Sequence, residues 1–158
     1  MASIAHMKQL PHTHSCFVCG ESNPIGLNLR FETDGNIVRS RFTPRPEHIG
    51  FKQVVHGGII ATLLDEIMVW ACLAQTKRFA YCAEFTVRFL NPLLPGQESL
   101  ATAELVANRR DRIFEAKAEL HDSTGKLLAS ATGKYLPVKA RELADMSTDL
   151  VGDPGQLL

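Results

Sequence analysis

Between Ile59 and Ala74 the only polar side chains are Thr62, Asp65 and Glu66, alongside Cys72. A segment that is apolar on nearly every face predicts a buried helix, here from about Gly57 to about Gln75. The chain on either side of it reads in period two instead. Leu27, Leu29 and Phe31 alternate with Asn28, Arg30 and Glu32, which predicts a strand, and Asp34-Gly35 marks a tight turn into a second strand over 37–43. After the helix, Tyr81, Ala83, Phe85, Val87 and Phe89 share one face of a strand, with Cys82, Glu84, Thr86 and Arg88 on the other. Asn91-Pro92 and Pro95-Gly96 end that strand. Three more strands are expected near 98–107, 112–121 and 126–137, separated by turns at 108–111 and 122–125. Residues 1–15 read as a flexible lead-in and 44–55 as a loop. A tail over 141–158 is expected to begin as a short helix and then fray.

Two strands, one long buried helix and four strands make an α+β fold, an antiparallel sheet with the helix packed on one face. Such a helix is covered on all sides only if the sheet wraps it or a second subunit closes the rest. The 158 residues suit one domain, placed at 16–140. Seventeen basic residues against seventeen acidic ones leave no field to attract nucleic acid. Asp65 and Glu66 interrupt the apolar run, which argues against a membrane span. Met1 to Gln9 holds no apolar segment of signal-peptide length, so a cytoplasmic location is expected. Four cysteines in a chain of this size do not suggest a disulfide framework.

The chemistry gathers on the helix. Gly57 and Gly58 let a ligand approach a helix N-terminus, where the first amide N–H groups lack partners and carry positive partial charge. That is an oxyanion site for a carbonyl becoming tetrahedral. Asp65 lies seven residues past Gly58, on nearly the same face but about 10 Å along the axis. A carboxylate among apolar residues costs several kcal/mol unless it is paired or lines a cavity, so Asp65 is a catalytic candidate. At that separation the glycine amide and Asp65 can serve one carbonyl only if they come from two copies of the helix, which argues for a homodimer with two identical sites. His56 is a candidate acid, base or carbonyl donor, with a loop-anchoring role as its simpler alternative. Thr62 falls on the same stripe, and Glu66 lies 100° further round.

His12-Thr13-His14-Ser15-Cys16-Phe17-Val18-Cys19 has the residue types of zinc ligands. No second CxxC and no distant HxxxH completes the set, so a tightly packed turn and no metal are expected. Arg109, Arg110 and Arg112, and Lys77-Arg78 after the helix, are candidates for a nucleotide end of a substrate, or simply solvated charge. Phe51, Trp70 and Phe79 hint at an apolar or aromatic pocket unless they belong to the core.

The segment HGGIIATLLDE, the glycine-containing loop before it and the later RFLNP resemble hotdog-fold acyl-CoA thioesterases of the PaaI-like group, and CFVCGESNPIGLNLRF is similar to the N-terminal entry of many bacterial members. The likeness covers roughly residues 16–137. It implies hydrolysis of an acyl-CoA thioester without a metal or cofactor, with Asp65 as general base or nucleophile. The Gly57 amide, with Gly58 beside it, would polarise the carbonyl from the opposite subunit of a homodimer, which can pair into a homotetramer. Two positions depart from the pattern. The loop asparagine of some members falls near Gly50, with Gln53 the only amide side chain close by. A water-positioning serine or threonine on the strand after the helix falls at Cys82, a weaker hydrogen-bonding group. Thr62, Glu66, Cys82 and Gln53 are therefore the candidates for contacting substrate. The competing readings are a hotdog dehydratase using His56 and Asp65, and a protein that binds acyl-CoA without hydrolysing it.

Overall fold

The structure, a computed structural model, describes residues 6–153. In chain order its elements are β1 (Lys8–Gln9), β2 (His12–Thr13), β3 (Glu32–Thr33), β4 (Ile37–Phe42), α1 (Gly57–Thr76), β5 (Ala80–Phe89), β6 (Ser99–Arg109), β7 (Ile113–Asp122), β8 (Leu127–Pro137), α2 (Ala140–Ser147) and β9 (Leu150–Val151). Two short 3-10 turns, Pro46–His48 and Phe51–Gln53, shape the loop before α1. Seven strands form one antiparallel sheet in the order β1-β3-β4-β6-β7-β8-β5, and β2 pairs separately with β9.

The helix packs on this sheet because the face beneath it is built from small residues. Val38, Ala103, Ala118 and Ala131 stand opposite one another across β4, β6, β7 and β8, and Ala101, Leu120 and Ala129 form the next row. All of them are buried. Short side chains there leave room for Leu63, Leu64, Ile67 and Met68 of the helix, all fully buried, to pack on the sheet. A left-handed Lys77 (φ 61°) ends α1, its N–H donating to the Leu73 carbonyl. Length and composition alone would let α1 cross a membrane. Here it is the core helix of a hotdog fold, touched by β4 to β8.

Three sequence expectations change. The alternation of Leu27, Leu29 and Phe31 does not build a full strand. Asn28 takes a left-handed φ of 52°, and the Leu27 and Leu29 N–H groups donate to the Phe17 and Val18 carbonyls, so only Glu32–Thr33 joins the ladder. The expected lead-in and fraying tail instead hold each other, His12 opposite Val151 and Thr13 opposite Leu150, while β1 adds to the sheet edge beside β3. The first five residues of the lead-in and the tail from 154 onward lie outside the described residues.

The third change bears on the site. β5 carries an irregularity between Cys82 and Glu84: Cys82 pairs with Tyr135, yet Phe85 pairs with Gly133. The extra residue switches the alternation. Cys82 therefore shares the helix-facing side with Phe85, Val87 and Phe89, and Tyr81, expected with the phenylalanines, turns to the outer face and is half-exposed.

Candidate active site

Asp65 sits in the third turn of α1 on a stripe that the sheet leaves half open. Gly58, Thr62, Asp65 and Val69 all keep some exposure, whereas Leu63, Leu64, Ile67 and Met68 have none. Its carboxylate is held from β8: the Tyr135 hydroxyl donates to Asp65 Oδ1 at 3.0 Å and lies 3.3 Å from its backbone carbonyl. Tyr135 is fully buried, and its ring lies over Gly133, where an added Cβ would come within 2.8 Å of the ring edge. Burial, then the Asp65 charge, pushes the phenol above its usual range, so it stays a donor. Cys82 completes the group. Burial, then the Asp65 charge and a hydrogen bond to that carboxylate, pushes its thiol up to about 11. At neutral pH Cys82 is a protonated neighbour of Asp65 rather than a nucleophile.

The helix N-terminus supplies the second half. His56 is the N-cap, and its Nδ1 accepts the Gly58 N–H at 2.8 Å. That bond places the neutral imidazole's proton on Nε2, which leaves His56 a donor and removes it as a base in this tautomer. It also occupies the Gly58 amide. The Gly57 N–H makes no hydrogen bond among the described residues. It borders a cleft of about 310 Å³ lined by Val54, Val55, Ile60, Phe89 and Leu93 among others. A Cβ at Gly57 would sit 3.2 Å from the Phe89 ring. Thr62 donates its hydroxyl back to the Gly58 carbonyl at 2.7 Å, which commits its only proton. The fold thus brings Asp65, Tyr135 and Cys82 together. Gly57 stands about 12 Å away along the same helix.

Other candidates lie elsewhere. Gln53 has a left-handed φ of 60°, is exposed, and its side chain hydrogen-bonds to nothing among the described residues. Arg109 grips Glu115 through two hydrogen bonds of 2.7 and 3.1 Å, and Arg78 donates to the Asp111 carbonyl. Trp70 is core: it stacks on Phe31 with centroids 5.9 Å apart and meets Phe79 edge-on at 6.4 Å. A larger cleft of about 410 Å³ lies at the far end of α1, between Leu10, Asp34, Ala74 and Lys77, and contains none of these site residues.

Glu66, expected beside the substrate, points instead into a cluster of its own. Its Oε1 accepts the Trp70 indole N–H at 3.1 Å and meets the Cys19 and Cys16 sulfurs at 3.6 and 3.7 Å. Burial pushes its carboxyl up to about 7. The histidines near the CxxC turn stay outside this cluster: His12 Nε2 and His14 Nδ1 both reach Glu21, at 2.9 and 3.1 Å.

Tyr135 is the residue that sequence reasoning missed. The signal was present in the strand itself. Ala129, Ala131, Gly133 and Tyr135 alternate on the face turned to the helix, and a buried tyrosine in a row of small residues must find a partner for its hydroxyl.

A model of the thioesterase superfamily matches residues 52–129, from just before α1 into β8. Among solved structures, the Escherichia coli PaaI protein from the phenylacetic acid degradation operon superposes with a TM-score of 0.65 at 23% identity, over 72% of this chain and 81% of that one. The protein smu.793 of Streptococcus mutans, solved bound to acetyl CoA, superposes with a TM-score of 0.62 at 18% identity, over 65% of this chain and 82% of that one. Human acyl-coenzyme A thioesterase 13 is 29% identical over 85 residues, which is 52% of this chain and 60% of that protein. The chain has the hotdog fold of these structures, and its central segment is similar to the thioesterase superfamily.

Proposed function

We propose that this protein hydrolyses acyl-CoA thioesters to a free carboxylic acid and CoA. The observation that carries this reading is the Asp65 carboxylate on the half-open stripe of a core helix, held by the Tyr135 hydroxyl at 3.0 Å. Asp65 takes a proton from an attacking water, or attacks the thioester carbon itself to give an acyl-aspartyl anhydride that water then opens. In either case the carbonyl oxygen becomes an oxyanion, and an unpartnered helix N-terminal amide is the donor suited to it. Gly57 supplies that amide, and the helix dipole adds to it. The C–S bond breaks and the thiolate leaves to be protonated as CoA. Tyr135 and Cys82 orient the carboxylate by donating to it.

Because Gly57 and Asp65 of one helix are too far apart to share a carbonyl, the working unit is a homodimer in which each site takes Asp65 from one chain and Gly57 from its partner. β5 favours this assembly. It is a ten-residue edge strand with Tyr81, Phe85 and Phe89 partly exposed, the kind of edge that a folded protein normally covers. Dimers can pair further into a homotetramer.

The test is release of free thiol from a panel of short, long and aromatic acyl-CoAs. Steady release with Asp65 intact, lost in Asp65→Asn, supports the reading. Saturable binding without thiol release would make the chain a binding protein instead, and elimination of water with the thioester intact would make it a dehydratase. The shared site has its own test, for which Gly57→Pro is suited. Proline removes the N–H and is tolerated at the first helical position. Its added ring carbons meet the Phe89 ring edge, which must give by a few tenths of an ångström, and His56 already has the extended backbone that must precede it (φ −61°, ψ 133°). Mixing Asp65→Asn chains with Gly57→Pro chains should restore activity in hybrids, where one composite site is whole. Verified hybrids that stay inactive rule out sharing.

A further inference from the structure

The cluster around Glu66 joins parts of the chain that have no sequence reason to meet. Cys16 and Cys19 come from the turn after β2, and Glu66 from the third turn of α1, about fifty residues on. Their three ligand atoms lie within 4.8 Å of one another. We propose that Cys16, Cys19 and Glu66 bind a zinc ion that ties the N-terminal turn to the core helix, with water as the fourth ligand.

Geometry is the first support. Zinc holds thiolate sulfur at ~2.3 Å and carboxylate oxygen at ~2.1 Å, so in a tetrahedral site each S···O edge is about 3.6 Å long. Without metal both sulfurs donate to the same Glu66 oxygen, at 3.6 and 3.7 Å, so a zinc ion could replace the two thiol protons with the S···O edges already at coordination length. The turn is the second support. The Val18 N–H donates to Cys16 Sγ at 3.3 Å, a bond that favours a thiolate, and the Gly20 N–H closes the turn on the Cys16 carbonyl at 2.8 Å. A Cβ at Gly20 would collide with that same carbonyl, so the residue after the second cysteine must be glycine for the two sulfurs to converge. The surroundings are the third. The Trp70 indole N–H donates to the Glu66 oxygen that faces the sulfurs, and the Thr13 hydroxyl accepts the Cys16 N–H at 3.1 Å and lies 3.5 Å from Cys19 Sγ. Metal ligands are oriented by outer hydrogen bonds of this kind. Two thiolates and one carboxylate suit zinc better than the harder magnesium or calcium.

Zinc here would tie the N-terminal turn to the helix, with one position left to water by the three-ligand set. Glu66 precedes Ile67 and Trp70 in the core, so fixing it holds that turn against the buried face of α1, while Asp65 is held separately by Tyr135. The site stands on its own observations and does not depend on the proposed hydrolysis.

Chelator-treated, fully reduced full-length protein, titrated with cobalt(II) and separately with zinc, tests it. The expected result is one metal ion per chain, a thiolate-to-cobalt charge-transfer absorption that zinc abolishes, protection of two thiols from alkylation, and a higher melting temperature with zinc than without. Cys16→Ser and Cys19→Ser should each remove the charge-transfer band or cut it to one thiolate's worth. Glu66→Gln should keep the fold and weaken zinc at least tenfold. Trp70→Phe, which deletes the outer hydrogen bond and some core packing against Phe31 and Phe79, should weaken it about 10- to 100-fold. Cys72→Ala, which alters a thiol buried elsewhere in the helix, should leave binding unchanged. Absence of a charge-transfer band in the reduced wild-type protein overturns the proposal whatever the variants do. So does equal metal binding by the double cysteine variant, or a Cys16–Cys19 disulfide in protein isolated without oxidant.

Discussion

Asp65 and Glu66 are neighbours in sequence, and 100° of helix separates their surroundings. Asp65 faces the β8–β5 end of the sheet on a half-open stripe. There it accepts from one phenol and stands beside one thiol, and part of its carboxylate stays reachable. Glu66 faces the N-terminal turn, where a single oxygen meets an indole N–H and two sulfurs. In the proposed reading, the two carboxylates on one apolar helix divide into a reactive group and an anchoring group. What divides them is the neighbour each one has across the helix, which residue type alone does not reveal. A buried carboxylate becomes a candidate for chemistry when its partners leave a lone pair and a path open, and an anchor when they do not.

The contrast breaks most sharply in activity. Asp65→Ala should lower thioester turnover by about 10²- to 10⁴-fold, the range for loss of a positioned proton acceptor, with the melting temperature nearly unchanged. A folded Asp65→Ala protein with near-wild-type turnover would remove Asp65 from the mechanism. Gly57→Pro should cost about 10²- to 10³-fold in kcat through the lost oxyanion donor, with helix content retained in circular dichroism. On the other side of the helix the loss should appear as stability. Glu66→Ala leaves the Trp70 N–H without its acceptor and should destabilise the metal-free protein by about 1–3 kcal/mol in denaturant titration, while turnover per folded molecule holds. Tyr135→Phe removes one donor to Asp65 and should lower kcat about tenfold with KM little changed, as for one charge-assisted hydrogen bond. The smallest effect belongs to Cys82. Cys82→Ser puts a stronger hydrogen-bonding group beside Asp65 and should leave turnover at or above the parent level. In the parent protein the raised Cys82 pKa means that its alkylation stays slow through neutral pH and accelerates only as pH climbs toward about 11. Fast alkylation of Cys82 at pH 7 would contradict its placement against the carboxylate.

The helix and the four strands after it were legible because their patterns are long and regular. Twenty apolar-rich residues read as a core helix here, and alternation sustained over most of ten positions identifies a strand even where one residue breaks it. What sequence periodicity could not show was irregularity. A single extra residue at Ala83 moved Cys82 to the helix side of β5, and a left-handed Asn28 cut short the strand expected over Leu27 to Phe31. Asp65 and Gly57 stood out because a carboxylate in an apolar helix and glycines at a helix start are locally anomalous. Tyr135 and the Glu66 cluster did not, since each depends on contacts 70 and about 50 residues apart. His56 was read as a candidate acid, base or carbonyl donor with a loop anchor as the simpler alternative, and its ring caps the helix.

The central claim is that charge at Asp65 performs chemistry while charge at Glu66 performs anchoring. Asp65→Asn and Glu66→Gln remove each charge with almost no change of shape, so the most direct measurement is steady-state thiol release from acyl-CoA by the two variants, each scaled to its folded fraction. The account predicts a loss of at least a hundredfold for Asp65→Asn and activity within about threefold of the parent for Glu66→Gln. Equal losses in the two variants, or a larger loss at Glu66, would contradict it.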